Sequence, residues 1–154
     1  MMKDIIQKYE SCYEQLPKIT NIKKLWHHGY WDGPTSGVCE VNGQKCWFEL
    51  ITEWHDKYSD YDDDDFDAPW YRRFLVHRLT DKQFIALLER HQKFQRMVGH
   101  HTDYDEDGHR MERFPSGCTA NQETTDQYFN EAKQEEFPSI EPVSEEDIIG
   151  WYEW

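Results

Sequence analysis

Positive charge is scarce in this chain: 17 lysines and arginines stand against 31 aspartates and glutamates, a formal net charge of −14. A surface of that sign repels phosphate backbones and anionic lipid, so direct nucleic-acid binding and membrane docking are disfavoured. Long apolar runs are missing too; none approaches the roughly 20 residues that a membrane-spanning helix needs. The opening "MMKDIIQKYESCYEQL" has no extended apolar core and no small-residue cleavage site, so the expected compartment is the cytoplasm. The glycine patterns of dinucleotide folds and P-loops do not occur, nor does a nucleophile elbow or an H-E-x-x-H pair. Cysteine is limited to Cys12, Cys39, Cys46 and Cys118, none in a C-x-x-C pair, which removes zinc ribbons and thioredoxin-type redox motifs.

What is present is enough for a core. A length of 154 residues suits one domain, and although only 37% of residues are apolar, 16% are aromatic. Each buried aromatic removes a large area from water, so disorder throughout is not expected. Ile5, Ile6, Tyr9, Cys12, Tyr13 and Leu16 lie on one face of a helix over residues 4–16, which Pro17 ends. Thr80 and Gln83 form a capping box, and Phe84, Leu87, Leu88, Phe94, Met97 and Val98 give the apolar stripe of a helix over 81–98. Gly99 stands where a C-terminal cap belongs.

Between these helices the pattern is that of strands. "KKLWHHGYW", "GVCEV", "QKCWFELITEW" and "WYRRFLVHRL" are four candidates, the middle two joined at Asn42-Gly43, a strong hairpin signal. A two-residue turn there pairs Glu40 with Lys45 and Cys39 with Cys46. The two cysteines are expected as free thiols, since that ladder position is poorly matched to a disulfide. Trp26 reads as core, and His27 and His28 point to opposite faces of their strand. Beyond Gly99 the expectation is an irregular loop, a short helix burying Tyr128, Phe129 and Ala132, and a last helical turn capped by Ser144 with Asp147. The expected fold is therefore α+β: a short curled antiparallel sheet of about four strands (residues 24–79), an N-terminal helix, a packing helix (81–98) and a partly irregular helical tail. Residues 1–122 would form the domain and 123–154 an acidic extension docking on it.

Three stretches invite a functional reading. "SDYDDDDFDAPWYRR" concentrates Asp60, Asp62, Asp63, Asp64, Asp65 and Asp67. It reads as a solvated acidic loop or, functionally, as a row of carboxylates repeating at about 7 Å that can stand in for a phosphate backbone. Phe66, Trp31 and Trp70 would supply apolar contacts beside it. "GHHTDYDEDGHR" places Asp103, Asp105, Asp107 and Gly108 as in the first half of an EF-hand loop, but position twelve is Phe114 rather than glutamate. His101 and His109 with these aspartates offer an alternative Zn2+ set, and the plain reading is a charged turn after a helix end. "WHHGYWDGP" could stack on sugars if its aromatics were exposed.

The leading expectation is a non-enzymatic acidic binding protein of the inhibitor, immunity or phage-encoded type, covering the basic surface of a nuclease or nucleic-acid-binding partner. The alternatives are a metal-dependent enzyme or calcium-stabilised module built on Asp103–His109, with Ca2+ or Zn2+ as its ion, and a sugar-binding module.

Overall fold

The computed structural model describes residues 2–28, 34–55 and 70–154. In chain order the elements are α1 (Met2–Tyr9), β1 (Ile22–His28), β2 (Ser36–Val41), β3 (Gln44–His55), β4 (Trp70–Arg78), α2 (Asp81–Met97), α3 (Gln122–Ala132) and β5 (Ile148–Glu153), with 3-10 turns at Tyr13–Gln15 and Glu145–Asp147. The strands make one antiparallel sheet in the order β1-β2-β3-β4-β5, so the class is α+β with a curled meander. No helix among the described residues is long and apolar enough to cross a membrane.

The hairpin follows the expected chemistry. Asn42 and Gly43 take positive φ, 50° and 81°, as a two-residue turn with matching twist requires. The resulting register puts Glu40 opposite Lys45, ion-paired at 2.6 Å, and Cys39 opposite Cys46. Both thiols are free and fully buried, and burial pushes Cys46 up to about 11 and Cys39 well above its ordinary value. They serve as small apolar side chains, not as reactive groups.

Alternation divides the core in two. Cys39, Cys46, Phe48, Phe74 and Val76 fill one face of the sheet with Ile19. Val38, Trp47 and Leu75 face the other way, under α1 and α2, where Met2, Ile5, Ile6, Leu79 and Leu87 cover them. Both sheet edges are occupied, which removes a pairing hazard. Residues 17–19 run beside β5, with the Ile19 and Trp151 N–H groups donating to Trp151 and Pro17 carbonyls at 2.8 and 3.0 Å. Gly150 permits this approach, because a Cβ there would lie 2.2 Å from Pro17 O. Along β1, the His27 N–H donates to Thr102 O (3.0 Å) and the Tyr104 N–H to Leu25 O (3.2 Å). Trp154 spans the gap between first and last strands, with Lys24 Nζ 3.7 Å above its ring.

Several details differ from expectation. The sheet has five strands, not about four: the expected helical turn capped by Ser144 with Asp147 is present as the 3-10 turn Glu145–Asp147, but the residues after it, Ile148–Glu153, continue as β5. A bulge between Val76 and His77 inserts one extra residue opposite β4, so Ile148 and Trp151 reach the same cluster despite a spacing of three. The N-terminal helix ends at Tyr9, and a separate 3-10 turn carries Tyr13 into the core. Thr80 and Gln83 close the capping box of α2 with bonds of 3.1 and 2.9 Å, and α3 buries Tyr128 against Phe94 and Val98, whereas Phe129, expected to be buried, points outward at 38% exposed. The segment 123–154 contributes α3 and β5, so it supplies one layer over α2 and one strand of the sheet.

Candidate functional site

The described structure has a partly enclosed cavity of about 140 Å³ where the end of β1 meets α2, α3 and the loop after α2. Its walls are mainly ring and alkyl groups from Leu87, Phe94, Phe129, Ala132, Phe137 and Tyr128. His27, His28, His91, Arg90 and Thr102 complete its lining. Each arrives by a local cause. His28 ends β1 on the face shared with Trp26, and its ring lies 5.5 Å from Trp47 and 5.9 Å from Phe137. His27 alternates to the opposite face, where its Nδ1 is hydrogen-bonded to Tyr104 Oη at 3.1 Å. His91 occupies the inward face of α2 between Leu87 and Phe94.

His91 is held on two sides. Its ring stacks on Trp26 with centroids 4.3 Å apart and planes 5° apart. Its Nε2 meets Asp103 Oδ1 at 2.5 Å. Asp103 is only 4% exposed, yet it is saturated: Gln95 Nε2 donates to its second oxygen at 3.0 Å, and His100 Nδ1 lies 3.0 Å from the same atom. A buried carboxylate survives only with such partners. Three donors from α2 and the following loop thus converge on one acceptor and lock the loop to the helix.

Two polar atoms of the lining residues lack a partner. His28 Nε2 and Thr102 Oγ1 are buried without a hydrogen-bond partner in the protein, and Thr102 is 3% exposed. A buried polar atom left alone costs about 1–3 kcal/mol, which makes such a pair unusual in a well-packed core. Both histidines are neutral at ordinary pH. Burial, reinforced by neighbouring cationic groups, pulls His28 down to about 3 and His27 to about 4. Arg90 is the nearest full charge, and it is bound to Glu135 at 3.6 Å while lying over the Phe137 ring. No carboxylate lines the cavity among the described residues.

The residues singled out from sequence fall elsewhere. Asp60, Asp62, Asp63, Asp64, Asp65, Asp67, Phe66 and Trp31 lie outside the described residues, and Trp70 opens β4 opposite His55. Of the proposed metal set, Asp103 turns inward to His91, and His101 packs its ring 5.9 Å from Phe94. Asp105, Asp107 and His109 do meet, with ligand atoms within 4.8 Å of one another, all three exposed. Asp105 Oδ1 already accepts the N–H groups of Asp107 and His109 at 2.9 and 2.8 Å, so this turn closes on itself. The five residues therefore do not form one site. Trp26 is core, as its pattern suggests, at 4% exposed. Comparison with family models, with curated proteins and with solved structures finds no match to this chain.

Sequence reasoning missed the cavity. A usable signal was present: the apolar stripe of α2 has a polar residue, His91, at its inward step between Leu87 and Phe94. A histidine on a buried face needs a partner, and Asp103 is that partner.

Proposed function

We propose that this protein binds a small molecule, or one ring of a larger one, in the cavity between β1, α2 and α3. The observation that carries this reading is the partly enclosed cavity itself, walled mainly by apolar groups, with His28, Arg90, His91 and Thr102 among its lining residues. Binding sites commonly combine apolar walls with a few convergent polar groups. The saturated Asp103 behind His91 supports a fixed site, because it holds one wall in place before any ligand arrives. At about 140 Å³ the cavity is smaller than most ligand sites and comparable with cavities that admit benzene.

The test is a fragment screen followed by NMR on histidine-ring and backbone signals. Hits should perturb His28, Thr102 and Phe129 together. Ala132→Leu, which adds three carbons to the cavity wall, should abolish those hits without unfolding the chain. Hits that map elsewhere, or that survive Ala132→Leu, would remove this reading.

A second reading rests on charge. Several of the described basic side chains are engaged by the protein itself: Arg72 with Glu53, Arg73 with Glu14 and Glu153, Arg78 with Asp147, Lys93 with Glu131 and Glu135, and Lys24 over Trp154. The formal net charge of −14 is favourable to a basic partner protein. Association with such a partner should slow at least tenfold between 50 and 500 mM salt by stopped-flow fluorescence; salt-independent association would count against the charge as its cause.

A further inference from the structure

Resting on the cavity reading above, we infer that the ring bound there is a phenylalanine-type side chain of a basic polypeptide segment, whose flanking lysines or arginines lie along the acidic surface beside the cavity.

Size and lining select the ring. A space of about 140 Å³ is close to the cavity of about 150 Å³ that takes up benzene, and a phenylalanine side chain is such a ring on a tether. Leu87, Phe94 and Tyr128 are the buried apolar part of the lining, and burying a charge against them would be costly. Phe129 and Phe137, at 38% and 41% exposed, are the exposed members of the lining, so the cavity opens on their side. Apolar groups gathered at one opening mark a contact surface, which scattered single ones do not.

Charge selects the flanks. Phe129, Ala132 and Phe137 come from residues 123–154, where ten side chains are acidic and one, that of Lys133, is basic. Residues 1–122 carry twenty-one acidic and sixteen basic side chains, so most of the net −14 belongs to the segment that forms the open wall. Arg90 and Lys93 of α2 face this wall and are already bound to Glu131 and Glu135, which leaves them poorly placed to attract an anion. A cationic guest enters with the field.

Extent selects a polypeptide over a lone ring. Phe137 also lines a shallow groove that continues along residues 136–141 and past Met2 and Lys3 at the start of α1. Glu136 and Glu141 stand in this groove, and Lys3 is the one basic residue of its lining. Burying one ring supplies about one to two powers of ten in affinity, too little for a specific complex by itself. An elongated guest adds contacts in the groove and attraction to its carboxylates.

The test titrates the end-capped pentapeptide Lys-Lys-Phe-Lys-Lys into the intact chain by NMR and calorimetry. Beside it run the same peptide with alanine for phenylalanine, the same peptide with glutamates for lysines, benzene, and benzylammonium. The parent peptide should perturb Phe129, Ala132 and Phe137. Loss of its ring should weaken it about tenfold or more, and so should reversal of its charge at low salt. Saturating benzene should compete with it, and Ala132→Leu, which fills the cavity, should weaken it about tenfold; the competition decides the matter if that variant fails to fold. An alanine peptide that binds equally well, or no competition from benzene, would put the peptide outside the cavity and overturn the inference. Equal binding by the acidic peptide, or by benzylammonium alone, would overturn the basic polypeptide as the partner. Cavity signals that shift when the chain alone is diluted would make a second copy the occupant instead. Benzene in the cavity without any peptide binding would overturn the partner and leave the cavity reading, and entry of neither would overturn both.

Discussion

Asp103→Asn is expected to lower the free energy of unfolding by about 1–3 kcal/mol for each buried donor it leaves unserved. Asparagine keeps the volume but exchanges an acceptor-only group for one oxygen and one NH2. The site supplies donors on both sides: His91 and Gln95 at 2.5 and 3.0 Å, and His100 at 3.0 Å. Whichever way the amide turns, its NH2 faces a nitrogen that had been served by the carboxylate. The loss propagates, because the Asp103 N–H and C=O also tie the loop to His100 and Met111, and β1 pairs with that loop at Trp26. Asp105→Asn is the control. Its carboxylate is exposed and its backbone bonds can be kept by the amide oxygen, so a change under about 1 kcal/mol is expected. Guanidinium unfolding followed by tryptophan fluorescence distinguishes the two. An Asp103→Asn midpoint equal to that of the parent would show that the three contacts do not act as a unit. The double variant His91→Phe with Asp103→Leu should recover part of the loss, since removing both partners is less costly than removing one.

The contrast between Asp103 and Asp105 also explains what could be read from sequence. Both sit in an alternating run after a helix, and local pattern gives them one role. Only the tertiary placement of His91, twelve residues earlier on α2, sends Asp103 inward and leaves Asp105 outside. Features decided locally were legible: the Asn42-Gly43 turn and its register, the Thr80 capping box, and the stripe that ends at Val98. β5 was not, because a bulge gives Ile148 and Trp151 the spacing of a helical face while the backbone is extended. The cavity was least legible. Its walls come from residues 27–28, 87–94, 102, 128–132 and 137, and no window of sequence joins them. What sequence could offer was the anomaly of a histidine on an otherwise apolar face, and the same reasoning extends to His77, fully buried on β4 with one ring nitrogen unpartnered.

That concentration of buried neutral histidines predicts a stability profile that falls with acid. The unfolded chain has histidines near 6.5, whereas His27 and His28 in the fold sit at about 4 and about 3, with His77 and His101 also lowered by burial. Above pH 6.5 both states carry neutral rings and these groups contribute no pH dependence. Below it the unfolded chain takes up protons that the fold refuses, so stability declines as pH drops from 6.5 toward 4. By pH 5 the difference amounts to about 2 kcal/mol for each of His27 and His28, taking 1.36 kcal/mol per unit. Glu49 acts in the opposite sense, since burial raises it and its protonation favours the fold; its effect sets in above the ordinary carboxylate range and offsets part of the loss. The loss between pH 7.5 and 5 should therefore reach about 4 kcal/mol from these two rings alone, seen as a falling guanidinium midpoint. His28→Gln should remove close to half of that slope while leaving stability at pH 7.5 within about 1 kcal/mol of the parent, because glutamine offers the cavity a neutral polar end. A parent profile that stays flat from pH 7.5 to 5 would mean that water reaches these rings and lets them charge.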